Sequence, residues 1–132
     1  MGRRKTFEIS GVTHRSAPIP MAAQVGSFFR SSGIPPTDPG TGAYPAGGPA
    51  QVRQAFANAL ALLAVAGLSS DDVVYLDVYL GEETLRPAVN DVWLEWYPDP
   101  NDRPARHISI RPMPGQMLVQ LQVEAVAGED SK

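Results

Sequence analysis

Three features of this sequence predict an α+β fold: one twisted sheet with two helices packed on a single face. Apolar residues recur with a helical period from Val52 to Ala66 and again from Leu85 to Trp96. Between them, Val73–Leu80 is β-branched and aromatic, as a buried strand is. Residues Met117–Ala127 alternate apolar and polar with the two-residue period of a half-buried strand. The length of 132 residues is that of one domain, taken as 1–132, and 43% apolar residues are enough for a packed core.

The elements follow in order. Arg3, Arg4 and Lys5 open the chain. No apolar run follows them in Thr6–Ser10, so no signal peptide is expected and residues 1–5 read as a solvated basic arm. Phe7–Ile9 and Ala22–Ser31 read as strands joined through Pro18–Pro20. The chain holds 12 glycines and 13 prolines, and ten of them crowd into Gly33–Pro49. A loop of that length in a compact domain is often functional. Pro49 suits a first helical turn. Val52, Ala55, Phe56, Ala59, Leu60, Leu63 and Ala66 then give a helix at about 50–66, stopped by Gly67. The strand Val73–Leu80 comes next. A second helix carries Leu85, Ala88, Val89, Val92, Trp93 and Trp96 as its stripe and ends before Pro98 and Pro100. Arg106–Arg111 is a strand broken by Pro112 and Pro114. In the final strand Val119, Leu121, Val123, Ala125 and Ala127 point one way, and Gln120, Gln122 and Glu124 the other. Residues 128–132 form a polar, frayed tail. Leu118, Val126, Ile108 and Ile110 exceed what two helices can cover, so an open apolar sheet face and self-association are expected.

Composition narrows the chemistry. A net charge of -3 argues against a nucleic-acid or membrane-surface binder. No stretch is long and apolar enough to span a bilayer, and a cytoplasmic protein is expected. With no cysteine, disulfides, thiolate nucleophiles and Cys-based metal sites are absent. A transition-metal site would need both histidines, His14 and His107, plus distant carboxylates, and none is expected. Phosphate-loop, dinucleotide, zinc-protease and serine-hydrolase motifs are missing.

Two residues stand out. Arg106 starts a strand directly after Pro104-Ala105, and its planar fork matches a carboxylate bidentately. By composition alone, a strand-end arginine in a surface ion pair is the favoured reading of it. Glu124 interrupts a nearly apolar strand end and needs a partner. An arginine across the sheet neutralises it, or it positions a water, and both readings hold together if the partner is Arg106. His107 points opposite to Arg106 on the same strand, and His14 reads as a loop histidine.

Ser31-Ser32-Gly33-Ile34-Pro35, Asp38-Pro39-Gly40-Thr41-Gly42, Gln51–Asn58, Ala66-Gly67-Leu68, Val89-Asn90, Pro104-Ala105-Arg106 and Val123-Glu124-Ala125-Val126-Ala127 occur here in a specific order and spacing. From about Ala17 to Ala127 the chain thereby resembles the Rid (reactive intermediate deaminase, YjgF-like) family. The resemblance implies a chorismate-mutase-like fold and a homotrimer, with three sheets forming a central barrel and active sites in the subunit clefts. It implies hydrolysis of enamines and imines such as 2-iminobutanoate and 2-iminopropanoate to a 2-oxo acid and ammonia, without a cofactor. By the same resemblance Arg106 grips the substrate carboxylate and Glu124 activates water. Ser32, the Gly33 N–H and Asn90 line the pocket. Met21 stands where the best-known branch has a pocket tyrosine, which suits a larger or more apolar substrate. A deaminase of a larger amino-unsaturated acid and a non-catalytic carboxylate-binding regulator are the alternatives. A ribonuclease fits poorly with the net charge of -3.

Overall fold

Both helical periods form helices in the computed structural model, which describes residues 3–128. Helix α1 spans Gly48–Val65, with Pro49 in its first turn. Helix α2 spans Arg86–Trp96, entered through a short 3-10 turn at Glu83–Leu85 and closed at Tyr97, ahead of Pro98. The strands are β1 (Arg4–Phe7), β2 (Ala22–Val25), β3 (Phe28–Ser31), β4 (Val73–Leu80), β5 (Ala105–Ile110) and β6 (Val119–Val126). They form one sheet in the order β1-β2-β3-β6-β4-β5. Only β4 and β5 are parallel, because α2 carries the chain back between them.

The helices cover one face. Val119, Leu121, Val123 and Ala125 of β6 are buried there with Leu76, Val78 and Leu80 of β4. The alternation expected for the final strand therefore holds from Val119 to Ala125. Val52, Ala55, Phe56, Ala59, Leu62 and Leu63 of α1 pack onto this layer. Leu60, expected on the stripe, lies at its border and is 44% exposed, while Leu62 is buried in its stead. Phe56 meets Trp96 of α2 edge-to-face at 5.2 Å, joining the two helices.

Several boundaries differ from expectation. The first strand is Arg4–Phe7 rather than Phe7–Ile9, and Ile9 instead makes an isolated bridge to Val12. Arg4 and Lys5 are thus exposed residues of an edge strand, not a free arm, since β2 supplies the partner that an arm would lack. Met1 and Gly2, and residues 129–132 of the expected tail, lie outside the described residues. Ala22–Ser31 is a hairpin, turned at Gly26 in the left-handed region (φ 60°).

The open face is not the apolar surface expected. In the β4–β5 register Ile108 and Ile110 sit beside Val78 and Leu80, on the helix-covered side. Leu118 also packs against the core. Of the four apolar residues expected on the open face, only Val126 lies there, paired with Phe28. Ala23 and Val25 of β2 share that face through their pairs with Arg30 and Phe28, and much of the remainder is polar or aromatic. Arg30 pairs with Glu124 at 3.5 Å, the Tyr79 hydroxyl donates to Asp77 at 3.2 Å, and Arg111 lies 4.2 Å over the Tyr79 ring. Burial, followed by the charge of Asp77, pushes the Tyr79 phenol above its usual range.

Two buried amides of α1 hold the long loop. Asn58 Nδ2 donates to the carbonyls of Pro35 (2.9 Å) and Thr37 (2.8 Å). Gln51 Nε2 donates to Pro45 (3.2 Å) and Gln116 (3.0 Å), while its Oε1 accepts from the Leu118 N–H (2.8 Å). Removing one amide leaves two carbonyls without donors. Asn58→Ala is expected to cost about 2–3 kcal/mol, read as a lower midpoint in denaturant. An unchanged midpoint would show that solvent replaces these bonds freely.

Candidate active site

Arg106 sits one residue into β5, on the helix-covered side, in the row that runs through Leu76 of β4. Its guanidinium carbon lies 4.8 Å from the centroid of the Trp93 ring of α2. A cation stacked on an indole face is attracted by the ring quadrupole. Nη1 is buried and has no hydrogen-bond partner among the described residues. Burial first, and the neighbouring charge of Arg86 second, lower its pKa from the ordinary arginine value. An arginine remains charged at neutral pH even so. The site is therefore a fixed, half-desolvated cation whose open need is an anion.

Helix α2 supplies the surroundings. Arg86, Asn90 and Trp93 recur at helical spacing and share the flank beside Arg106. The opposite flank carries Glu95, which pairs with Arg53 of α1 at 2.7 Å. Asn90 is exposed and lies three residues before Trp93 on α2, on the flank that bears the Arg106 stacking partner. Trp93 and Arg86 were not among the residues singled out from sequence as functional. The spacing of Arg86, Asn90 and Trp93 was the available signal.

Ser32 and Gly33 lie elsewhere, just past β3. Ser32 donates its hydroxyl to the Pro20 carbonyl at 2.8 Å and its N–H to the Met21 carbonyl at 2.8 Å. Gly33 is closely approached. A Cβ there would stand 2.7 Å from the Gln120 side-chain amide, so the position has room only for glycine unless Gln120 moves. The Gly33 carbonyl lies 2.6 Å from His14 Nε2. A carbonyl only accepts, so the ring proton is on Nε2, and His14 is a clasp on Gly33 rather than a free loop residue. A cavity of about 160 Å³ opens beside it, lined in part by His14, Thr37, Tyr44 and Gln120.

Met21 does not line a pocket. It is fully buried in the core, because the residue before β2 turns inward where β1 and β3 close around it. A tyrosine at that position adds volume and a hydroxyl to a closed interior. Met21→Tyr is accordingly expected to lower stability by about 1–3 kcal/mol, measured by chemical denaturation. A variant of native stability with altered ligand preference would return Met21 to the site.

Glu124 lies on the open face, across from Arg30 on β3 and Tyr75 on β4. Its partner is Arg30 at 3.5 Å, not Arg106. The two candidate catalytic residues are on opposite faces of the sheet. Arg106 is also three strand steps from the end of β3, across β4 and β6. That is roughly 14 Å, too far for one small acid to touch both Arg106 and Gly33 of one chain. His107 projects away from Arg106 as expected, and stands 3.8 Å from Asp77. No group of three metal-ligating side chains occurs among the described residues. No helix among the described residues is long and apolar enough to cross a membrane.

The family model described as endoribonuclease L-PSP matches residues 15–127. A RutC family protein of Pyrococcus horikoshii is 32% identical over 112 residues, covering 83% of this chain and 86% of its own. The 2-iminobutanoate/2-iminopropanoate deaminase of Escherichia coli is 28% identical over 125 residues, covering 93% of this chain and 96% of its own. Among solved structures, the YjgF gene product of E. coli superposes with a TM-score of 0.82 at 27% identity, over 92% of this chain and 98% of its own. A putative endoribonuclease from Thermotoga maritima gives a TM-score of 0.85 at 26% identity, over 94% and 98%.

Proposed function

Since this chain belongs to the Rid (YjgF-like) family that the endoribonuclease L-PSP model describes, we propose that it is a hydrolytic deaminase of small imino and enamino acids. The observation that carries this reading is Arg106. Its buried, unpartnered Nη1 on the Trp93 face is built to receive a carboxylate. The E. coli relative named for imine deamination supplies the reaction class.

In the proposed reaction Arg106 and Asn90 hold the acid group, fixing the C=N bond next to it. Water adds to the imine carbon while its proton passes to Glu124. Glu124 passes that proton on to the imine nitrogen, and as the resulting amino alcohol collapses its hydroxyl proton follows, so that the nitrogen leaves as ammonia and the carbon keeps the water oxygen as the carbonyl of a 2-oxo acid. Each turnover consumes one water and one imine, and no electrons leave or enter.

One chain does not assemble all of these groups. Arg106 and Glu124 face opposite ways, and Gly33 is three strand steps from Arg106. A composite site solves this: the edge strand β5 of one copy meets the open sheet face of the next, and three such contacts close a ring. The proposed assembly is thus a homotrimer with the sheets inside as a barrel, each cleft sharing residues of two copies. A mass near three times 14.2 kDa in sedimentation equilibrium is the expected result.

One observation favours a second reading, a carboxylate-binding regulator without turnover. Glu124 is already engaged by Arg30 and is not poised as a base in the single chain. Ammonia release from 2-iminopropanoate generated in the assay decides between them. Turnover above the spontaneous rate supports the deaminase. Saturable binding of 2-oxo acids with no turnover makes it a binder.

A further inference from the structure

We infer that Arg86 sets the substrate class of this site by holding a second acidic group, so that dicarboxylic imino acids are preferred over monocarboxylic ones. This rests on Arg106 being the carboxylate grip, and it adds what lies beyond the first carboxylate. Arg86 and Trp93 are seven residues apart on α2, two helical turns or roughly 10 Å along the axis, with Asn90 between them on the same flank. Arg106 lies over Trp93 at one end of this strip, and Arg86 stands at the other.

The two guanidiniums feel each other, since the charge of Arg86 is the second cause lowering the Arg106 pKa. A monocarboxylate neutralises only one of them. A dianion of a few carbons neutralises both, with the Asn90 amide offering donors along its length.

Arg86 has capacity to spare. Its Nε donates to Glu83 at 2.6 Å, and its Nη groups have no bonding partner among the described residues. The Glu83–Arg86 pair is a surface pair, with side chains 66% and 43% exposed, so it contributes little and yields readily to a ligand.

The test compares 2-oxobutanoate with 2-oxoglutarate as probes, by calorimetric titration of the intact protein at low salt. The wild type is expected to bind the diacid about 10- to 100-fold more tightly. Arg86→Gln should bring that ratio near one. Glu83→Gln, which releases Arg86, should raise the ratio, an effect that a merely structural Arg86 would not produce. Arg106→Ala is the control and should weaken both acids. If Arg106→Ala changes neither, the site itself is misplaced. If Arg106→Ala weakens both but the wild-type ratio is already near one, or survives Arg86→Gln, only the role of Arg86 is overturned.

Discussion

Arg106→Ala is expected to abolish measurable binding of carboxylate ligands. A buried, charge-assisted bidentate contact is worth roughly 2–5 kcal/mol, or about 30- to 4,000-fold in affinity. The effect should sit at the upper end, because Nη1 has no bonding partner among the described residues to compensate. Arg106→Lys should rescue little. An ammonium keeps the charge but lacks the planar fork that both stacks on Trp93 and spans two carboxylate oxygens. The fold should tolerate both changes, since a partly desolvated cation without a counter-charge adds little to stability. Titration with 2-oxobutanoate is the measurement, and unchanged affinity in the alanine variant would place the pocket elsewhere.

Glu124→Gln is expected to slow turnover by about 10²- to 10⁴-fold while leaving ligand affinity nearly intact. The amide preserves shape but cannot take a proton from the attacking water. The substitution also weakens the contact to Arg30, yet that pair is 29% and 55% exposed and 3.5 Å long, so its loss should cost under about 1 kcal/mol. Arg30→Gln separates the two effects. It disturbs the same ion pair without removing the carboxylate, and should reduce turnover far less. A split in which kcat falls and KM holds marks Glu124 as the base. Parallel loss of binding and turnover in both variants would make the pair structural and leave the binder reading standing.

The elements were legible where one period ran unopposed. Val73–Leu80 was read to the residue, and both helices to within two residues where bounds were drawn. The alternation along β6 showed which side faces the helices, because a strand with one buried face writes its register in its sequence. The first strand was less legible. Arg4-Lys5-Thr6 carries almost no apolar signal, and its place depends on an edge pairing with β2 that no local pattern encodes. The open face was misjudged for a related reason. Whether Ile108 points in or out is set by the parallel register with β4, a partner 30 residues away in sequence (Val78).

The candidate site was legible in its parts rather than in its geometry. Arg106 announced itself by following Pro104-Ala105, and its cation has an environment fit for an anion. The opposed orientations of Arg106 and Glu124 follow only from pairing both strands with β4. Met21 was assigned by resemblance, and resemblance conveys position along the chain but not which way a side chain turns. Asn58 carried a readable signal. An amide within an apolar helical arc must find buried partners, and here they are the carbonyls of Pro35 and Thr37.

The sheet order carries a consequence for how the chain acquires its shape. β6 is threaded between β3 and β4, yet it comes later in the chain than every strand it joins. During synthesis the β1–β3 meander and the β4–α2–β5 unit emerge first, as two fragments with no direct strand pairing between them. Each exposes an unsatisfied strand edge until residues 119–126 leave the ribosome and insert. Formation of the native sheet is therefore gated by closure of a long-range antiparallel pairing, and slow by the standards of its size. In that interval the waiting edges of β3 and β4 are the places where a chaperone would bind or a second nascent chain would mispair.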